Sequence, residues 1–238
     1  MYAVTFDLWN TLLGDHNYAR MPEFLAAGMV PLLKEAGFVV DETYLAQVIL
    51  ECRDLTMSRQ VNEGLELVPE EQLAWILGRV GVAAPGWLDE KLLAFYTADR
   101  SSGKIRVMEG TEETLAKLAE KYSLALICNT GRTPGRVVRP LLERIGLKDF
   151  FQILTFSNEL RMAKPNPRVF LYTLEQLGVD PARAAHIGDD LRTDVKGSKE
   201  AGMVPIWLNR HKRDGCPEGV YEVDQLTALP PLLEEIWG

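Results

Sequence analysis

The sequence predicts an α/β fold with a helical domain inserted near its start. Three observations carry this. Residues 3–6 form an apolar, β-prone run that ends at Asp7. After residue 104, short apolar runs alternate with amphipathic segments. From residue 16 to residue 100 the periodicity is helical, with almost no strand signal. Regular alternation of β and α argues for a parallel sheet with helices on both faces, a Rossmann-like core.

The elements follow in order. After the first strand come four expected helices, over residues 22–36, 42–62, 70–80 and 88–97. Gly14-Asp15 and Ser101-Ser102-Gly103 border this block with hinge-like composition. Buried strands are expected at 124–128, 152–155, 184–187 and 204–208. Helices are expected over 112–122, 134–145, 167–177 and 192–201, with Gly146, Gly178 and Gly202 closing the last three. The chain divides into an α/β core of residues 1–14 and 104–238 and an α-helical cap of residues 15–103. There is no internal repeat and no low-complexity tract.

Composition narrows the function. The 238 residues are 47% apolar and 25% charged, as in ordinary globular proteins. A net charge of −8 argues against a general nucleic-acid binder. Cys52, Cys128 and Cys216 are odd in number and form no CxxC pair, which suits a reducing cytoplasm. His16, His186 and His211 have no zinc-site spacing. No apolar stretch approaches the roughly 20 residues that span a bilayer. The sequence starts on a core strand and leaves no room for a signal peptide. A cytoplasmic protein is expected, a monomer or small homo-oligomer, without nucleic-acid or membrane partners.

Four islands carry reactive groups. Asp7 ends the first strand, where open α/β sheets present their chemistry, and Thr11 follows four residues on. A lone aspartate serves equally as a loop or helix cap. The second island, Leu126-Ile127-Cys128-Asn129-Thr130-Gly131, is a strand running into a glycine turn. A thiol is a weak donor, and Cys128 also reads as a packing residue; Asn129 or Thr130 would supply the polar contact. The third, Ala163-Lys164-Pro165-Asn166-Pro167, puts a lysine on a stiff segment that opens a helix. The fourth is His186-Ile187-Gly188-Asp189-Asp190, then Asp194, Gly197 and Ala201-Gly202-Met203. Helix capping explains one of these aspartates but hardly three. Gathered at one sheet edge, Asp7, Asp189, Asp190 and Asp194 would raise one another's pKa values, with Lys164 as the evident positive charge. A hard divalent cation with oxygen ligands, Mg²⁺, relieves that conflict.

In this order the four islands resemble the motifs of the haloacid dehalogenase superfamily, in its helical-cap branch. The resemblance implies that Asp7 is a covalent nucleophile, that Thr11 fixes the loop behind it, and that Lys164 neutralises Asp7 and an incoming anion. It implies Mg²⁺ on Asp7, on the backbone carbonyl of Trp9 and on Asp189, with Asp190 and Asp194 orienting the metal's waters and Lys164. Cys128 stands where the family has a phosphoryl-binding serine or threonine. Asn129 beside it also appears in the dehalogenase branch.

The main departure is Trp9, where the family's phosphatases carry a second aspartate. An indole cannot serve as general acid–base, a role worth roughly 10²–10⁴-fold, or about 3–5 kcal/mol of barrier. A choosy phosphatase, an acid recruited from the cap, halide release, or loss of catalysis would each accommodate it. The dehalogenase branch has a tyrosine there and needs no metal, but lacks the doubled Asp189-Asp190. Arg20, Arg53 or Arg59 could offset a haloacid's repulsion. The expectation is a Mg²⁺-dependent phosphatase of a small anionic ester, working through an aspartyl-phosphate under a cap that selects the substrate. The alternatives are a metal-free 2-haloacid dehalogenase and a catalytically weak homologue that binds a ligand or partner.

Overall fold

The computed structural model describes residues 1–14, 20–98 and 105–238. The chain begins with β1 (Ala3–Phe6), buried along its length, and a tight loop to β2 (Leu13–Gly14). Four helices follow: α1 (Met21–Glu35), α2 (Glu42–Glu63), α3 (Pro69–Arg79) and α4 (Gly86–Thr97). β3 (Arg106–Val107) then pairs antiparallel with β2, Gly14 opposite Arg106. The helical segment therefore leaves and re-enters the core at neighbouring points. Next come α5 (Thr111–Ala119), β4 (Ser123–Cys128), α6 (Gly135–Arg144), β5 (Ile153–Phe156), α7 (Ser157–Leu160), α8 (Pro167–Leu177) and β6 (Ala184–Gly188). A π-helical turn over Leu191–Val195 runs into α9 (Lys196–Glu200), followed by β7 (Val204–Leu208), β8 (Tyr221–Val223) and α10 (Leu229–Trp237).

Six strands form one parallel sheet in the order β5-β4-β1-β6-β7-β8. Strand order reverses at β1, between β4 and β6, so its C-terminal end opens onto the crevice where such sheets bind ligands. Side chains alternate between faces. Val4, Phe6, Leu124 and Leu126 point to the layer of α5, α6 and α10, against Leu115, Leu142 and Leu233. Ala3, Ala125 and Ile127 point the other way, against Val169, Phe170 and Leu174 of α8. Each of the larger of these side chains contributes about 1.5–3 kcal/mol when fully buried. The helices α1–α4 have a separate core, including Leu25, Met29, Val48, Cys52, Ile76 and Leu92.

Local chemistry sets the ends of these helices. Asp41 accepts the Tyr44 N–H at 2.8 Å at the start of α2. Asn166 accepts the Arg168 N–H at 3.1 Å, and Pro167 opens α8. The helix expected over 192–201 is interrupted. Asp190 caps the Arg192 N–H at 2.7 Å, and Asp194 reaches back to the Asp190 N–H at 3.0 Å, which draws the first turn into a π turn. β2, β3, β8, α7 and α10 are not among the expected elements. The first three have two or three residues, and Pro230-Pro231, a breaker by composition, lies in the first turn of α10. The expected hinge residues Asp15 and Ser101-Ser102-Gly103, and also His16, lie outside the described residues. Among the described residues no helix is long and apolar enough to cross a membrane.

Candidate active site

The Asp7 N–H donates to Ile187 O at 2.8 Å, carrying the β1–β6 ladder one residue beyond β1. Asp7 is thereby held at the carboxyl edge of the sheet, 7% exposed. Lys164, 1% exposed, arrives from the segment between α7 and α8. Its Nζ donates to Asp7 Oδ1 at 2.6 Å and to Asp194 Oδ1 at 2.7 Å. Asn129, just past β4, fixes the lysine backbone from both sides. Its Oδ1 accepts the Lys164 N–H at 2.8 Å, and its Nδ2 donates to Lys164 O at 2.9 Å.

Asp194 hangs from the π turn and faces His186 Nε2 at 3.4 Å. Its negative charge favours the tautomer that donates from Nε2, with Nδ1 accepting from the Thr5 hydroxyl at 2.8 Å. The His186 ring also stands edge-on to Phe170. A Cβ at Gly188 would lie 2.2 Å from Asp194 Cγ, so only glycine leaves that carboxylate room. The Asp189 carbonyl accepts from Trp207 Nε1 and from Arg213, both at 3.1 Å, which orients the residue. The carboxylate oxygens of Asp7, Asp189 and Asp194 then lie within 4.8 Å of one another.

One ammonium among three carboxylates sets the electrostatics. Burial, only partly offset by Lys164, pushes Asp7 up to about 6. Burial and the charges of Asp7 and Asp194 push Asp189 up to about 8. Burial would raise Asp194 too, but Lys164 and His186 outweigh it and hold that carboxyl well below its usual range. Lys164 is buried, yet Asp194 and Asp7 keep it charged. Burial lowers His186 to about 4 and leaves it neutral at pH 7. This donor set fits a hard cation. It consists of carboxylate oxygens, and burial with want of positive charge leaves the pKa values of two of its members, Asp7 and Asp189, raised.

Asp7, Trp9, Asn129, Thr130, Lys164, Asp189, Asp190 and Asp194 line one cavity of about 390 Å³. Its far wall comes from α1, α2, α3 and α4. Five expected roles differ from the geometry. The Cys128 side chain lies in the apolar cluster under the sheet, because its position in β4 points it to that face. The Asp190 carboxylate is turned onto Arg192, whose Nη2 it holds at 2.8 Å. The Thr11 hydroxyl is buried without a partner among the described residues, while its carbonyl accepts from Arg210 at 2.9 Å. Asn129 is occupied with Lys164. Thr130 is occupied too, its Oγ1 3.2 Å from Ser157 Oγ and 3.3 Å from Asn158 Oδ1. Of the three arginines expected to face an anion from the helical segment, Arg53 lines the cavity, Arg59 pairs with Glu63 on the surface at 3.3 Å, and Arg20 is exposed. Sequence reasoning missed His186 as a support for Asp194, although it sits inside the fourth island. It also missed Ser157 and Glu66, which no motif flags.

Known proteins resemble this chain along its length. Human N-acylneuraminate-9-phosphatase is 30% identical over 243 residues, covering 98% of this chain and 94% of that protein. The pyrimidine 5′-nucleotidase of Escherichia coli is 43% identical over 96 residues, which is 39% of this chain and 42% of that enzyme. A phosphatase from Thermococcus onnurineus superposes with a TM-score of 0.66 at 27% identity, covering 98% of both chains. A 2-haloacid dehalogenase from Pseudomonas syringae superposes with a TM-score of 0.71 at 22% identity, covering 99% of this chain and 100% of that one, and shares the fold. Residues 1–202 match the family model of haloacid dehalogenase-like hydrolases. The chain therefore belongs to the haloacid dehalogenase-like hydrolase family, as a hydrolase with phosphatase relatives.

Proposed function

We propose that this hydrolase is a Mg²⁺-dependent phosphatase acting on a small phosphate ester. One observation carries the reading: a single ammonium, 2.6 Å from Asp7 and 2.7 Å from Asp194, stands against three clustered carboxylates. A site so acidic repels any anion until a divalent cation offsets its charge. Asp7, the Trp9 carbonyl and Asp189 would hold Mg²⁺, which when bound supplies Lewis-acid neutralisation of phosphoryl charge. Asp7 attacks phosphorus in line, forming an acyl phosphate as the ester oxygen leaves with the bonding electrons and takes up a proton. Water then cleaves that bond, releasing phosphate and restoring the Asp7 carboxylate. Lys164 offsets charge on the phosphoryl oxygens. Asp194 keeps the ammonium in place, and neutral His186 supports Asp194 from behind.

The helices α1–α4 act as a cap that closes the cavity and chooses the substrate. Arg53 on the cavity wall suits an anionic ligand. Relatives named for sugar-acid and nucleotide substrates fit that class. Three free cysteines support a reducing, cytoplasmic setting. Trp9 in the cavity wall favours a second reading, metal-free dehalogenation by Asp7, because a departing halide needs no proton.

A panel of phosphate esters and 2-chloropropionate, assayed with and without Mg²⁺, separates the readings. Mg²⁺-dependent phosphate release that disappears in Asp7→Asn is the expected result. Chloride release without metal would decide for the dehalogenase. Turnover of neither would leave a binding homologue.

A further inference from the structure

Glu66 has no part in the chemistry outlined above. It lies in the link between α2 and α3 and is 5% exposed. Its carboxylate reaches out of the helical segment into the core. The Ser157 hydroxyl, just past β5, donates to it. Gln60 Nε2 donates to its two oxygens at 3.1 and 2.9 Å. The backbone N–H groups of Gly131 and Thr130 also face it. Several donors thus converge on one group that only accepts, as a carboxylate does.

The contacts continue to the catalytic centre. Ser157 Oγ accepts the Thr130 N–H at 2.8 Å. Thr130 follows Asn129, whose side chain holds both backbone groups of Lys164 at 2.8 and 2.9 Å. The same link grips the lysine segment from its other end. Gly64 O accepts the Ala163 N–H at 3.0 Å, and the Glu66 N–H donates to Arg161 O at 3.4 Å. The approach is close: a Cβ on Gly64 would lie 2.7 Å from Asn166 Cβ. Residues 64–66 therefore touch both segments between which Lys164 is suspended.

We propose that Glu66 is a positioning residue: by pinning the turn after β4 through Ser157, it sets Asn129 and hence the Lys164 ammonium, so docking of the helical segment and assembly of the catalytic centre are one event. This rests on the phosphatase reading for its kinetics, but not for its structural arm. Stability alone does not explain the group. Its burial raises the carboxyl to about 7, which makes the charged form costly to keep there.

The test uses the full chain with Glu66→Gln, Glu66→Ala, Ser157→Ala and the Glu66→Gln/Ser157→Ala pair. Each is assayed with p-nitrophenyl phosphate and Mg²⁺, and each is followed by amide hydrogen exchange. Glu66→Gln should lower kcat about 10–100-fold, as loss of a group supporting a catalytic one does, and leave KM within about twofold. The double variant should be no slower than the slower single, because both act through one contact. Exchange should quicken at residues 129–131 and 161–164 and stay unchanged in β6. Unchanged kcat, multiplicative effects in the double variant, or loss of protection spread through β6 would each overturn the proposal. Should Glu66→Ala fail to fold, Glu66→Gln still decides. If the wild type hydrolyses no phosphate ester, the phosphatase reading falls, and exchange alone then settles whether Glu66 holds the 129–131 turn.

Discussion

The alcohol of an alkyl phosphate leaves as a high-energy alkoxide unless a proton reaches its oxygen, and Trp9 has none to give at neutral pH. Its side chain lines the cavity beside Asp7 and packs on the core below. Trp9→Asp puts a carboxyl two residues from the nucleophile, at the cavity wall. Turnover of alkyl phosphates should rise up to about 10²-fold, the lower end of acid–base catalysis. Aryl phosphates should gain far less, since their leaving groups depart unprotonated. The ratio of alkyl to aryl turnover is the measurement, because it is independent of the folded fraction. Loss of a partly buried indole costs stability, by less than the 3–5 kcal/mol of a fully buried one. An unchanged ratio would show that another group already supplies the proton, or that phosphoryl transfer is not the reaction.

At the scale of elements, β2 and β3 explain how a helical segment can be inserted without disturbing the sheet. Gly14 in β2 lies opposite Arg106 in β3, so replacing residues 15–105 by Asn-Gly closes a two-residue hairpin. The helices α1–α4 carry their own apolar cluster. They meet the core mainly through polar contacts such as Arg132 to Tyr96 O at 2.6 Å and Arg161 to Glu71 at 2.8 Å. The shortened chain should remain folded by circular dichroism and should bind Mg²⁺. An unfolded product would mean that these helices belong to the core. The same elements show what a sequence reveals. Buried parallel strands read clearly because an uninterrupted apolar run has few other uses. Asp7, Lys164 and the Asp189–Asp194 run read clearly because each is a charge at a strand end or on a proline-stiffened turn. β2, β3 and β8 are too short to carry a period. Cys128 could not be placed from its motif position, since one step along a strand reverses the face it points to. Glu66 was invisible because its partners, Ser157 and Thr130, are remote in sequence, and no local pattern marks a contact made only by tertiary folding.

For the whole molecule, the acidic centre couples protons to stability. Three carboxyls are raised in the folded chain: Asp7 to about 6, Glu66 to about 7 and Asp189 to about 8. A raised carboxyl binds more protons folded than unfolded, so each lowers stability as pH climbs from its ordinary value to its folded one. His186, lowered to about 4, acts in the opposite sense, but only below its ordinary 6.5. Asp194, held low, adds stability that is present above its ordinary value and is lost only in strong acid. Between pH 6.5 and 8 the opposing His186 effect is complete, and Glu66 and Asp189 dominate. Metal-free protein should therefore lose stability across that window. On the proposed reading Mg²⁺ would compete with the same protons for Asp7 and Asp189, so its stabilising effect should grow over the same interval. At a hundredfold excess over Kd it is worth about 2.7 kcal/mol, or roughly 5–10 °C in Tm for a chain of this size. Thermal melts at pH 6.5 and 8, with and without Mg²⁺, measure both effects. Asp189→Asn should flatten the metal-free pH dependence, leaving the part due to Glu66, and should abolish the Mg²⁺ shift. A wild-type melting temperature that ignores Mg²⁺ at pH 8 would remove the metal from the site, and with it the charge neutralisation on which the proposed phosphate binding depends.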